Sequence, residues 1–236
     1  MIIIEHYACF KSNLDRLDES AWEQLRNSTE KDEKPYAIEE NIEEFEKNCE
    51  RIPVYKEAAK LICDILEQEN IKSVVSMGCG KGILEWHIKK ISPQINVECT
   101  DFVESAMKKL KDVFVSCDKF STFDMKNGDY SVFSPDKVLL FFRVSTELSY
   151  EEWCQAFKNM KNAGIKNIIF VPESIATPEL KDKYEKMHIV NQAKGKKETF
   201  CGWIYSKDVL SSMFESAGYS ILREDALMDT VLYLLG

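Results

Sequence analysis

Residues 73–82 read Ser-Val-Val-Ser-Met-Gly-Cys-Gly-Lys-Gly and contain the most informative pattern in the chain. A short apolar run predicts a strand, three glycines at alternate positions predict a sharp turn, and an amphipathic helical pattern follows. A second strand-like run ends at Asp101. Glycines let a ligand approach the backbone at a helix N-terminus, and a strand-end acid can accept hydrogen bonds from ribose hydroxyls. The layout therefore predicts a nucleoside-binding site.

The glycine spacing distinguishes this loop from the two common phosphate-binding loops. The dinucleotide fingerprint needs its third glycine at the position of Ile83, and a P-loop needs Ser or Thr where Gly82 stands. The pattern Gly78, Gly80, Gly82 followed by Asp101 resembles the class I S-adenosylmethionine-dependent methyltransferases. In that family the loop bends around the methionine and ribose portions of the cofactor. The resemblance implies S-adenosylmethionine as the cofactor, and the alternative is a purely structural glycine turn.

Length and charge limit the classes of partner. The chain has 236 residues, 44% of them apolar, which predicts a single globular unit. The formal net charge of -9 disfavours nucleic acid and anionic membranes as partners. No apolar run reaches the roughly 18 residues of a membrane-spanning helix, and Glu5 interrupts the opening apolar residues before they could form a signal-peptide core. We therefore expect a cytoplasmic protein.

The eight cysteines do not form a metal-binding or redox motif. No C-x-x-C pair occurs, and no histidine lies at zinc-ligand spacing, so we expect reduced, mostly buried thiols and no metal. Cys79 lies inside the glycine loop. The resemblance implies that it is a small packing residue beside the cofactor, and a nucleophilic role is the alternative.

Helical and strand patterns alternate from residue 53 onward, which is typical of a parallel sheet with helices on both faces. The predicted strands span residues 73–77, 95–101, 119–123, 138–142, 167–171, 219–222 and 231–235. The connection between the last two is too short for a crossover helix, so this pair must be antiparallel. We predict an α/β fold with a seven-stranded, doubly wound, mostly parallel sheet, an antiparallel C-terminal strand pair and an N-terminal helical extension. This order of elements also resembles the methyltransferase sheet.

The first 52 residues are predicted to form a separate helical extension, and residues 53–236 the cofactor-binding domain. Apolar residues at helical spacing give two amphipathic stripes, from Leu14 to Leu25 and from Ile38 to Ile52. The resemblance implies that this extension covers cofactor and substrate as a lid. The alternative is a packing element or the interface of a homodimer.

The resemblance also implies roles for residues at the strand ends. Asp101 should bind the ribose hydroxyls, and Phe102 should face the adenine ring. Asp124 should lie near the adenine amino group, with Met125 covering the base. Asp118 is the alternative to Asp124.

Ser76 is a departure from the family, which usually carries an acid two residues before the first glycine to hold the cofactor ammonium group. A neutral hydroxyl here removes a charge-assisted hydrogen bond worth about 1.5–3 kcal/mol. Arg143 and the segment around it, after the fourth predicted strand, are candidates to compensate. Arg51, Tyr36 and Tyr55 are candidates for the cofactor carboxylate.

Methyl transfer is an in-line displacement that depends mainly on positioning, with a general base where the acceptor must lose a proton. His188 is the first candidate for that base, and Glu147, beyond the fourth predicted strand, is the second. Solvent-exposed or structural roles are the alternatives for both.

Residues 142–145 lack the Asn/Asp-Pro-Pro-Tyr/Phe pattern of exocyclic-amine DNA methylation. The resemblance therefore implies a transferase that methylates an oxygen or nitrogen of a small molecule, such as a sugar or secondary metabolite. The alternative is a non-catalytic cofactor-binding or regulatory protein of the same fold.

Overall fold

The computed structural model describes residues 1–10, 14–28 and 36–236. Its strands are β1 (Ile3–Ala8), β2 (Ser73–Met77), β3 (Asn96–Asp101), β4 (Lys119–Thr122), β5 (Val138–Phe142), β6 (Asn167–Val171), β7 (Thr199–Tyr205), β8 (Ile221–Leu227) and β9 (Thr230–Leu235). Its helices are α1 (Glu19–Arg26), α2 (Ile42–Glu50), α3 (Pro53–Gln68), α4 (Ile83–Ile91), α5 (Glu104–Val113), α6 (Tyr150–Asn162), α7 (Pro178–Ala193) and α8 (Lys207–Ser216).

The main sheet has seven strands in the order β4-β3-β2-β5-β6-β9-β8. The first five strands in this order pair in parallel, and β9 is antiparallel to both β6 and β8. The predicted α/β fold, with its antiparallel C-terminal pair, is confirmed. The penultimate strand begins and ends later than predicted, so the turn before β9 is short and Met228 takes a positive φ of 53°.

Two hydrophobic layers cover the faces of this sheet, and β5 shows why its sequence is continuously apolar. Val138, Leu140 and Phe142 pack on the side of α3, α4 and α5, whereas Leu139 and Phe141 pack on the side of α6 and α8. A central parallel strand buried on both faces has no position for a polar side chain.

A second, two-stranded sheet pairs β1 with β7 in antiparallel orientation. The residues of β1 fall in the region predicted to be helical, so this strand corrects that prediction. Ile4 lies opposite Ile204, and both side chains are buried. The two strands are almost the whole chain length apart, and no local pattern at residues 3–8 identifies the partner. Helices α1 and α2 each contain part of one predicted amphipathic stripe, with Ala21 and Leu25 buried in α1 and Phe45 and Cys49 buried in α2.

All eight cysteines are free thiols, four of them buried. Within the described ranges no group of three or more His, Cys, Asp or Glu side chains could hold a metal ion. No helix in the same ranges is both long enough and apolar enough to cross a membrane.

Candidate active site

A cavity of about 980 Å³ lies at the carboxyl ends of β2, β3 and β5, and residues of α1, α2 and α3 also line it. The chain runs from β2 outward through β3 and β4, then returns to the other side of β2 for β5. This reversal is the place where open α/β sheets bind ligands, because the loops on either side diverge and leave a crevice.

The glycine loop after β2 forms one wall of the cavity. Gly78, Gly80 and Gly82 have φ values of 66°, 57° and 69°, a region that L side chains rarely adopt. A Cβ on Gly78 would lie 2.9 Å from Cγ1 of Val144, and one on Gly80 would lie 2.9 Å from Nη2 of Arg26. The loop therefore requires glycine at positions 78 and 80, and both glycines face the cavity.

Gly82 does not line the cavity, although the sequence grouped it with the other two glycines. It is the N-cap of α4, and a Cβ there would lie 3.1 Å from side-chain atoms of Leu110 and Phe114. Its role in the structure is to allow α4 and α5 to pack closely. Cys79, by contrast, lines the cavity, and burial raises the pKa of its thiol to about 11. A thiol held in its neutral form is a poor nucleophile.

Asp101 connects the glycine loop to the end of β3. Its Oδ2 accepts a hydrogen bond from the Gly80 N–H at 3.1 Å, and its Oδ1 accepts one from the Val103 N–H at 3.1 Å. The side chain is buried and lines the cavity, as does Phe102 beside it. Since each carboxylate oxygen has a further lone pair, Asp101 can also accept hydrogen bonds from a ligand.

Met125 lines the cavity, but Asp124 does not. The Asp124 carboxylate is exposed and accepts hydrogen bonds from the Lys126 N–H and the Asn127 side chain, both at 2.8 Å. It thus stabilises the turn after β4. Asp118, the alternative, forms an ion pair at 2.9 Å with a lysine of α4 and lies outside the cavity as well.

Ser76 is buried behind the cavity lining, and its hydroxyl donates a hydrogen bond to Oε1 of Glu85. Glu85 comes from α4, is 2% exposed and lines the cavity. Burial raises the pKa of Glu85 to about 7. We did not predict this residue from the sequence. The available signal was a glutamate within a helix whose neighbouring positions Leu84 and Ile88 are apolar.

The candidates for the amino-acid end of a cofactor all line the cavity: Arg143, Arg51, Tyr36 and Tyr55. Arg143 is already paired, because its guanidinium donates to both carboxylate oxygens of Glu173 at 2.9 and 3.0 Å. The ring of Tyr55 packs 5.5 Å from that of Phe142, and burial raises its pKa.

Glu147 lies in the segment after β5 and lines the same cavity. Its Oε2 accepts a hydrogen bond from Nε1 of Trp22 in α1 at 3.3 Å. Burial raises the pKa of Glu147 to about 7, and the Trp22 hydrogen bond opposes this shift. A carboxyl group with such a pKa can accept a proton near neutral pH.

His188 is not in this cavity. It lies on α7, with Nδ1 2.5 Å from Oε2 of Glu198, and its ring is 5.3 Å from that of Tyr7. These residues line a separate pocket of about 250 Å³ between α7 and β1. The β1–β7 sheet, which the sequence did not predict, packs against α7 through β1, and the structure places His188 in this second pocket and not beside Glu147 and the glycine loop.

The N-terminal helices contact the glycine loop and the first turn of α4. Lys81 forms an ion pair with Glu39 at 2.5 Å, and Asn48 of α2 donates to the same carboxylate at 2.8 Å. The guanidinium of Arg26 lies 4.7 Å from the ring centre of Trp22 and donates to the Tyr36 carbonyl at 2.9 Å. The described part of the extension therefore forms a wall of the cavity opposite the sheet.

Comparison with known proteins identifies the fold. The structure superposes on magnesium protoporphyrin IX methyltransferase of Synechocystis, solved with S-adenosylhomocysteine, with a TM-score of 0.58 and 13% identity over 91% of this chain and 92% of that one. It also superposes on human N-acetylserotonin methyltransferase, solved with S-adenosylmethionine, with a TM-score of 0.55 and 11% identity over 75% and 50% of the two chains. The fold is that of the class I S-adenosylmethionine-dependent methyltransferases, as the glycine loop predicted.

Sequence comparison adds a partial relationship. The ribosomal RNA large subunit methyltransferase G of Shewanella pealeana is 25% identical over an alignment of 128 residues, and the match covers 47% of this chain. The chain spans about a third of the length of that relative, since the match covers 31% of it. The same protein of Shewanella halifaxensis matches at 24% identity over 128 residues. No family profile matches the chain.

Proposed function

We propose that this protein binds S-adenosylmethionine in the cavity at the glycine loop and transfers its methyl group to an oxygen or nitrogen of a small molecule. The observation that carries the proposal is that Glu147, a half-buried carboxyl group suited to accept a proton, lines the same cavity as the glycine loop and Asp101.

The residues of the cavity fit this cofactor. Gly78 and Gly80 line the cavity and carry no side chain, so a ligand can approach their backbone. Asp101 retains acceptor capacity for ribose hydroxyls, while Phe102 and Met125 supply apolar surface for a base. When bound, S-adenosylmethionine supplies an activated methyl group on a sulfonium.

The chain's own residues would then orient the acceptor and remove its proton. Glu147 is ionised over part of the neutral pH range, and one of its oxygens is held by Trp22, so its orientation is restricted. The proton of an acceptor hydroxyl or amine would pass to the Glu147 carboxylate as the methyl carbon exchanges its bond to sulfur for a bond to the acceptor, and the neutral thioether S-adenosylhomocysteine would be the leaving group. Most of the rate enhancement would come from alignment within the cavity.

The size and walls of the cavity favour a small acceptor. A volume of about 980 Å³ is at the upper end of the range for small-molecule sites, roughly 300–1,000 Å³, which is compatible with a cofactor and a compact second ligand. Helices α1 and α2 close one side, and the net charge of -9 works against a polynucleotide. We further propose that residues 1–52 act as the lid of this site and that residues 53–236 form the cofactor-binding domain.

The direct test is to incubate metabolite extracts with the protein and S-adenosylmethionine labelled in its methyl group. Label in a low-molecular-weight fraction, lost in the Glu147→Gln variant, is the expected result. Label in RNA instead would contradict the small-molecule assignment and favour a role like that of the Shewanella relatives. Cofactor binding without label in any fraction would favour the non-catalytic alternative.

A further inference from the structure

Glu85 has an unsatisfied oxygen in the interior of the protein. Its Oε1 is bound by the Ser76 hydroxyl, but its Oε2 is buried and has no hydrogen-bond partner. Burying a carboxylate oxygen without a donor costs free energy, and most buried polar atoms in proteins therefore have a hydrogen-bond partner. The position therefore requires an explanation that packing does not supply.

No positive charge of the described residues pairs with Glu85. The two lysines nearest in sequence, Lys81 and Lys89, are paired with Glu39 and Asp118. Two further groups lie near Glu85, and neither supplies a positive charge. Asp101 is itself an acid and raises the pKa of Glu85. The thiol of Cys79 is neutral near pH 7. The protein thus presents a buried acceptor that lacks a cation.

The place of Glu85 in the site defines the ligand group that could supply this cation. Glu85 lines the same cavity as Gly78 and Gly80, and it lies in the first turn of the helix that follows the glycine loop. We propose that Oε2 of Glu85 accepts a hydrogen bond from the primary ammonium group of the bound ligand, the amino-acid end of S-adenosylmethionine. This inference rests on the proposed function. It means that Glu85 of α4 binds the ammonium group that an acid at the position of Ser76 would otherwise hold.

The chemistry favours an ammonium group over the other cationic centre of this cofactor. A sulfonium has no N–H or O–H to donate, so it cannot satisfy a lone pair by a hydrogen bond. An ammonium has three donors and carries the charge that a buried carboxylate needs. Ser76 is then a positioning residue, since its hydroxyl occupies Oε1 and leaves Oε2 for the ligand.

Calorimetric titration with two ligands tests the proposal. S-adenosylhomocysteine carries the ammonium, whereas 5′-methylthioadenosine has the same nucleoside and sulfur without the amino-acid end. Glu85→Gln should weaken S-adenosylhomocysteine binding by roughly 10- to 100-fold. It should change 5′-methylthioadenosine binding less than about twofold. Asp101→Ala is the matched control, because it should weaken both ligands.

Relocating the charge gives a second test that does not depend on one variant. The double variant Ser76→Glu with Glu85→Gln should recover part of the lost affinity for S-adenosylhomocysteine only. Ser76→Ala should cause a smaller loss, again confined to that ligand. Equal effects of Glu85→Gln on both ligands would overturn the inference and leave the proposed function intact. Failure of both ligands to bind the wild-type protein would overturn the proposed function and this inference together.

Discussion

Trp22 Nε1 donates a hydrogen bond to Glu147 Oε2 over 3.3 Å, although the two residues are 125 positions apart in the chain. The contact joins α1 of the N-terminal extension to the segment after β5 at the wall of the cavity. It makes the extension part of the electrostatic environment of the candidate base, because the hydrogen bond favours the ionised carboxylate. The position of α1 and the pKa of the candidate base are therefore linked.

Replacing Glu147 by Gln should lower turnover by at least about 100-fold, because no carboxylate remains to take the proton from the methyl acceptor. Binding of S-adenosylhomocysteine should stay within about threefold, since the amide keeps the shape of the side chain. Steady-state kinetics and calorimetry measure the two quantities. His188→Ala is the control outside the cavity and should leave both unchanged; a loss of turnover in that variant with none in Glu147→Gln would reverse the assignment.

Trp22→Phe should move the acidic limb of the kcat/KM profile to higher pH. Burial raises the pKa of Glu147 to about 7, and the Trp22 hydrogen bond lowers it, so removing this donor raises the pKa further. A base must be deprotonated to act, and activity should therefore rise with pH through a midpoint above that of the wild type. An unchanged midpoint would show that Glu147 is not the titrating group.

Gly80→Ala should destabilise the fold and weaken cofactor binding. The new Cβ would combine a φ of 57° with a 2.9 Å approach to Arg26. Gly195→Ala is a matched control, since Gly195 has a φ of 63° with nothing within 4 Å of its Cβ position. Urea denaturation should show that the free energy of unfolding falls by about 1 kcal/mol in both variants, because alanine is disfavoured at a positive φ. Only Gly80→Ala should lose more than this and weaken S-adenosylhomocysteine binding by tenfold or more.

Glu85 should make the ligand-free protein less stable as pH rises from about 4.5 to about 7. Burial raises its folded-state pKa to about 7 from the ordinary value of 4.5 for a glutamate. The folded state therefore binds more protons than the unfolded state in this window, and the free energy of unfolding falls as pH increases. The shift corresponds to at most about 3 kcal/mol.

Urea denaturation at pH 5 and pH 8 measures this effect as the difference between the wild type and Glu85→Gln. The variant lacks the titrating group, so its stability should decline less between the two pH values. A decline of the same size in both proteins would show that Glu85 does not carry the effect.

Local patterns in the sequence were sufficient to predict the class of fold and the position of the ligand crevice. The glycine spacing at Gly78 and Gly80, the continuously apolar β5 and the capping box of Ser149 with Glu152 each depend on residues close together in the chain. Strand periodicity, helix caps and turn chemistry act over such short distances, and they therefore determined the class of fold and the position of the ligand crevice.

The tertiary structure decided which side chains share the crevice. Ser76 and Glu85 meet because α4 turns back onto β2, and Trp22 reaches Glu147 because α1 packs across the carboxyl ends of the strands. His188 is removed from the site by the pairing of β1 with β7. Contacts of this kind depend on the packing of elements that are far apart in the chain, and the helical or strand periodicity of one segment carries no information about which distant segment it will face.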